Sequence, residues 1–261
     1  MTIKHWTPPQ FSLRFVHVWR RNLLVWRRLA IPSMLGNLAD PLLYMFGLGY
    51  GLGRMLDDVG GMSYIGFLAA GIVCSSTMMS ASFEAMYSGF SRMHVQKTWD
   101  AILNAPLTLD DVMLGELVWA ASKSFLSGCA VLIVATVLGL VPSPLALAVI
   151  PLIFLTGLAF SGLGLIMTAL SPSYDFFMYY FTLCVTPMML LCGVFFPLDQ
   201  LPAAAQAVAQ LLPLTHAVGL ARPLVAGEIP PSWLLNIMVL SAYAVVSFYI
   251  ALALTRRRLL Q

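Results

Sequence analysis

No lysine in this chain follows a glycine, and only three lysines are present: Lys4, Lys97 and Lys123. A phosphate-cradling loop of the form G-x-x-x-x-G-K-[ST] is therefore absent, and with it the usual means of binding ATP. Charge of either sign is scarce, at 10% of 261 residues against about 25% in soluble domains. There is no G-x-S-x-G, and His5, His17, His94 and His216 are scattered without H-E-x-x-H or other ligand spacing. The chain thus offers neither a nucleophile elbow nor a metal site. The paired acids Asp57/Asp58 and Asp110/Asp111 stand at predicted span ends. Solvated faces or helix-start charges explain them better than acid–base catalysis. Cys74, Cys129, Cys184 and Cys192 form no C-x-x-C and lie in apolar runs, which reads as buried membrane-helix thiols rather than disulfides or metal ligands. The opening MTIKHWTPPQ has prolines but no apolar h-region, so no cleavable signal peptide is expected. Neither a cofactor of the chain's own nor a nucleic-acid partner is expected.

What the chain does have is apolar surface in excess. Hydrophobic residues make up 60% of it and mean hydropathy is +0.87. That is more than one water-facing core requires, since soluble domains average about 45–50% apolar. The expectation is an all-α integral membrane protein. A spanning helix needs about 20 mainly apolar residues, and six stretches qualify: 31–53, 63–90, 112–140, 145–170, 176–196 and 233–254. Given six crossings, eleven of the fourteen Lys and Arg fall on one side: Lys4, Arg14, Arg20, Arg21, Arg27, Arg28, Arg92, Lys97, Arg256, Arg257 and Arg258. Arg54 and Arg222 fall on the other, and Lys123 lies within the third span. By the positive-inside rule both termini are cytoplasmic.

Before the first span, residues 8–28 are amphipathic. Phe11, Phe15, Val18, Trp19, Leu23 and Trp26 gather on one helical arc, with Arg14, His17, Arg20, Arg21, Arg27 and Arg28 opposite. Asn22 and Leu24 break the pattern. A basic face backed by Trp and Phe predicts a helix lying in the membrane interface; packing on a soluble partner is the alternative. On the other side of the membrane, residues 197–231 contain AAAQAVAQLL and LTHAVGLARPLVAG, each too short to cross. They read as an outward re-entrant or interfacial helix pair, or more simply as an extracellular cap.

Polar residues at membrane depth are costly and often functional. Asp40 precedes Pro41, a pair suited to capping and restarting a kinked helix, with a proton relay as the alternative. Glu84 and Lys123 lie at similar depth on the second and third spans, which predicts a structural ion pair. Gly47/Gly51 and Gly49/Gly53 have the i, i+4 spacing that lets helices approach closely.

The segment QKTWDAILNAPLTLDDVMLGE, residues 96–116, carries five charged side chains between two apolar spans. Val95, Trp99, Ile102 and Leu103 fall at i, i+4, i+7 and i+8, one face of a short helix over 95–105. Lys97, Thr98, Asp100 and Asn104 occupy its other faces, and Pro106 ends it. Thr108 and Asp111 then read as the cap of the third span. A helix of this length is marginal alone in water and needs a partner: lipid headgroups, or a groove on another protein entered by the one aromatic anchor.

SFEAMYSGFSRM, KTWDAILNAPLTLDDVMLGELVWAASKS and CGVFFPLDQLPAAAQAVAQLLPLTHAVGLARPL resemble the membrane subunits of type-2 ABC exporters, and more narrowly the NodJ-type nodulation permeases. The resemblance covers nearly the whole chain. It implies a homodimer in a bacterial inner membrane, paired with a separate NodI-type ATP-binding subunit that holds ATP and Mg, and a lipo-chitooligosaccharide or similar amphiphilic glycolipid as cargo. A polysaccharide, drug or haem-related cargo fits the same superfamily. The resemblance further makes 95–105 the coupling helix, residues 8–28 the interface helix, and Tyr44, Phe46, Phe195, Phe196 and Pro197 candidates for gating or lining the path. A secondary transporter would instead show inverted repeats and unwound ion-binding spans, which the sequence lacks.

Overall fold

The computed structural model describes residues 6–53, 55, 56, 59 and 61–259. The expectations placed on Lys4, His5, Arg54, Asp57 and Asp58 lie outside the described residues. Among those described there are ten longer helices, one short 3-10 helix (Leu198–Gln200) and no strand: α1 (Phe15–Arg27), α2 (Ala30–Gly51), α3 (Tyr64–Val95), α4 (Thr98–Leu103), α5 (Leu109–Val137), α6 (Pro144–Leu170), α7 (Phe176–Leu191), α8 (Ala203–Leu211), α9 (Pro213–Ala226) and α10 (Trp233–Leu259). An apolar chain with no water at its surface must satisfy its backbone within each segment, and helices do this.

Four of these, α3, α5, α6 and α10, are long and apolar enough to cross a membrane. The other two expected spans fall short in different ways. α2 has 22 residues, but Asn37, Asp40 and its glycines dilute its apolarity. α7 stops at Leu191 rather than at 196, leaving an apolar helix too short to count as a span. Gly193 at φ +75° turns the chain there, a conformation that favours glycine, so Phe195 and Phe196 sit in a turn beyond the helix.

α3 is the centre. In its most apolar window 89% of residues are buried, against 39% for α10, and α2, α5, α6 and α9 all pack on it. Its small residues permit this closeness: a Cβ at Gly71 would stand 2.6 Å from the Val194 carbonyl oxygen. α5 begins with the expected capping box, in which the Thr108 hydroxyl accepts from the Asp111 N–H and the Asp111 carboxylate accepts from the Thr108 N–H. α9 starts with Pro213 at its first turn, ends at Gly227 (φ +94°), and is largely buried against α3, α6 and α10. His216 ties it down through Asn236 and the Gln210 carbonyl. Cys74 and Cys192 are buried, Cys129 is half-buried, and Cys184 is exposed on α7.

The two ends of the bundle differ in chemistry. At one end, which we call the basic end, lie α1, α4, the close of α3, the start of α5 and the close of α10. At the other, the cap end, lie α8, α9 and the turn after α7.

Candidate functional site

At the basic end α3 does not remain an α-helix. It widens into π-helical turns at Glu84–Ser88 and Ser91–Val95, a rare geometry often found where side chains are put to use. From these turns project Glu84 and Arg92; from α5 come Glu116, Trp119 and Lys123. The expected ion pair is there, Lys123 Nζ lying 2.8 Å from Glu84 Oε2, but it is one link of a larger network. Arg92 Nη1 donates to Glu84 (2.9 Å) and Arg92 Nε and Nη2 donate to Glu116 (3.0 and 2.6 Å). Ser88 and the Trp119 indole complete the shell of Glu84. Glu84 and Glu116 are buried, so each charge must be matched and each lone pair filled. Two carboxylates face two cations, Arg92 and Lys123, and Arg21 stands close enough to interact with Glu116.

The remaining bonds to Glu116 show what the network joins. Its Oε1 accepts from the Trp99 indole of α4 at 3.1 Å and from the Asn22 amide of α1 at 3.2 Å. α4, α1, α3 and α5 thus meet on one carboxylate. This corrects the expectation for Trp99 as an outward anchor: its side chain is completely buried and points into the bundle. The helix is also shorter than 95–105. Val95 closes α3 and is exposed, Lys97 adopts φ +50°, and only Thr98–Leu103 is helical, with Ile102 and Leu103 half-buried against the core. The exposed surface of the loop is carried by Val95, Lys97, Asp100, Asn104 and Pro106, with Thr98 partly covered.

α1 is corrected in the same sense. Part of its Trp-bearing face packs on α5, with Trp19 and Trp26 half-buried. Val18 packs against Gly115, where an added Cβ would come within 2.6 Å, Trp19 donates to Ser122 at 3.0 Å, and Trp26 meets Trp119 edge-on with centroids 5.9 Å apart. Asn22 interrupts the apolar arc because its amide serves Glu116. Beside it a second node forms: Arg256 clasps Asp110 (3.1 and 2.5 Å), and the Gln10 N–H and the Ser12 hydroxyl bond to Asp110 and Asp111. Arg258 donates to the carbonyls of Thr168, Ala169 and Ser171, closing the end of α6.

Sequence reasoning found Glu84 and Lys123, gave Glu116 no role, and counted Arg92 and Arg256 only among the basic residues of the cytoplasmic side. The signal for Glu116 was its position inside the apolar run of the third span, matched by the one amide on the apolar arc of α1.

Toward the cap end the polar groups are sparser. α2 runs unbroken through Asp40 and Pro41, so Asp40 does not cap a restarted helix. Tyr44 of α2 meets Phe195 with centroids 5.8 Å apart, and this pair lies between two cavities. One, of about 160 Å³, includes Asn37, Asp40, Ser75, Ser76 and Ser80. The other, about 520 Å³, opens toward the cap end and is lined by Leu48, Leu52, Tyr64, Phe196, Pro197 and Gln200. Tyr44 and Phe195 line both. Phe46 lines neither and stacks on Tyr50 instead. The turn carrying Phe195 is held by the Tyr64 hydroxyl on the Phe195 carbonyl (3.1 Å) and by Arg222, which bonds the Gly193 carbonyl and lies 3.5 Å over the Phe67 ring. Gly47 and Gly51 on α2 have open space before them, while Gly49 faces Ile65.

Comparison with known proteins adds the family. Residues 14–226, from just before α1 to the end of α9, match the ABC-2 type transporter family. The chain is 49% identical to "Nodulation protein J" of Rhizobium leguminosarum bv. viciae over 98% of both chains. It is 48% identical to the protein of that name from Rhizobium meliloti (strain 1021), over 97% of this chain and 96% of the relative. With that of Bradyrhizobium diazoefficiens it shares 49% over 97% of each. A nearly full-length match and a bundle of long apolar helices agree with one another, and the chain belongs to the ABC-2 type transporter family as a membrane permease subunit.

Proposed function

We propose that this chain is the inner-membrane half of an ATP-driven exporter of an amphiphilic glycolipid, a lipo-chitooligosaccharide in the reading that its relatives' nodulation name supports. Two copies form the path, and each pairs with an ATP-binding subunit of the NodI type, which supplies ATP and Mg. The basic end faces the cytoplasm, where Lys and Arg are enriched, and α8 and α9 form the outward re-entrant pair. α2 and α7 complete six crossings, their shortfall in apolarity and length being made up by a second copy and by the path they border. The open glycines Gly47 and Gly51 suit close approach of that copy.

The observation that carries the reading is the network that fixes α4 to the bundle. The exposed side of the 95–106 loop takes the ATPase, with Lys97, Asp100 and Asn104 as its polar contacts. Trp99 works from the opposite side. When nucleotide closes the ATPase pair, displacement of α4 pulls on Glu116 through the indole, and Glu116 carries it by Arg92 to Glu84 and Lys123. Because both carboxylates are buried and fully bonded, the node moves as a unit instead of yielding at one bond. The same movement tilts α3 and α5 against α2 and parts Tyr44 from Phe195, opening the chamber below them to the outer vestibule.

Co-expression with the ATP-binding subunit tests this. The two should co-purify, and vesicles holding both should take up a fluorescent lipo-chitooligosaccharide only with hydrolysable ATP. An ATPase that does not co-purify, or uptake independent of ATP, overturns the proposal.

A further inference from the structure

Asp40 stands midway along α2 and is exposed, and among the described residues it makes no hydrogen bond or ion pair. A carboxylate at membrane depth belongs beside water, a partner group or a polar ligand. Its surroundings are built to hydrogen-bond without bringing any cation. Asn37 reaches Ser80 only weakly, at 3.4 Å, and Ser75 spends its proton on the Ile72 carbonyl, which leaves its oxygen as an acceptor. Ser76 and Ser127 are bonded to each other. One further acceptor comes from the backbone: Pro41 has no N–H, so the Asn37 carbonyl loses its helical donor. Tyr44, Phe83 and Phe195 supply ring surfaces in the same groove.

This lining selects among ligands. Lys and Arg are absent from it, so an anionic group is disfavoured. One carboxylate among hydroxyls is a poor cage for a divalent cation, which takes six or more oxygens, several of them charged. An excess of acceptors beside aromatic faces suits a ligand with many O–H or N–H donors and apolar ring edges, which is a sugar ring. The volume, about 160 Å³, is below the roughly 300 Å³ where pockets for whole drug-sized ligands begin, so it holds one ring of a longer chain.

We propose that this groove binds one neutral sugar ring of the transported molecule at a time, with Asp40 and the Asn37 carbonyl accepting from its hydroxyl or acetamido donors and Tyr44 or Phe195 lying on its face. The proposal rests on the exporter reading and adds the place and chemistry of recognition. Direct binding of N-acetylchitotetraose, which has no acyl chain, to the full-length permease with its ATPase in lipid nanodiscs tests it, read by saturation-transfer NMR without nucleotide. Wild type should bind, Asp40→Asn should bind about tenfold more weakly or worse, and Tyr44→Leu, which removes one ring face, should show a smaller loss. Matching thermal transitions and particle sizes establish that the variants are folded. Unchanged binding in Asp40→Asn, no binding by wild type, or a change in the number of permease copies with Asp40→Asn (Asp40 then being a contact between copies) overturns it. Failure of the exporter reading shows separately, as an ATPase that does not co-purify.

Discussion

The two polar regions of this bundle handle the same problem in opposite ways. At the basic end, Glu84, Glu116 and Arg92 bury their charge and half-buried Lys123 pairs with Glu84, while two indoles, an amide and a hydroxyl complete the shell of the two carboxylates. On α2, Asp40 is left exposed and, among the described residues, unpaired beside hydroxyls that have capacity to spare. A saturated network holds helices in one arrangement; an unsaturated one is ready for something that arrives. The contrast separates the part of the molecule that transmits movement from the part that meets cargo.

The contrast breaks most visibly at Glu116. Glu116→Ala leaves Arg92 buried with half its partners gone and should destabilise the chain by about 3–5 kcal/mol. The fluorescence-monitored melt in detergent should fall accordingly, whereas Asp40→Ala should leave it nearly unmoved. Next in size is Gly71→Ala at the centre of α3. The added methyl meets the Val194 backbone at 2.6 Å, and overpacking of this kind costs about 1–3 kcal/mol. Because Val194 leads into Phe195, the same change should also disturb the turn, which a spin-label distance between residues 44 and 195 would register. Smallest in stability is Asp100→Lys. Its side chain is exposed, and surface changes usually stay within about 0.5 kcal/mol, yet the variant should fail to retain the ATPase in a pull-down. Retention equal to wild type would move the docking surface away from α4.

How much of this was legible in the sequence follows the same division. Local signals were read correctly: Thr108 and Asp111 cap α5 because a capping box is a three-residue pattern, and Glu84 meets Lys123 because depth along two apolar spans can be counted. Arg92 was assigned only to the cytoplasmic side and Asp110 to a span end, where charge is normally solvated, and nothing local distinguishes them from solvated neighbours. Their partners lie 24 and 146 residues away, beyond the reach of periodicity. Trp99 was placed on the right helix and given the wrong direction. An apolar face on a short loop helix names a covered side without saying what covers it, and here the cover is the protein's own bundle. Asn22, noted as an exception on an apolar arc, was the clue to that. In the candidate path, Tyr44 and Phe195 could be named, but that they touch depends on the turn at Gly193, which the sequence read as part of a longer span.

Trp99→Phe isolates the central claim, since it keeps the buried ring and removes one bond, from the indole N–H to Glu116. In vesicles containing the permease and its ATPase, cargo moved per ATP hydrolysed is the quantity to measure. The account predicts that the complex still assembles and still hydrolyses ATP, while transport per ATP drops severalfold. Transport per ATP equal to wild type would contradict it, because α4 would then be driving the spans by some route other than Glu116.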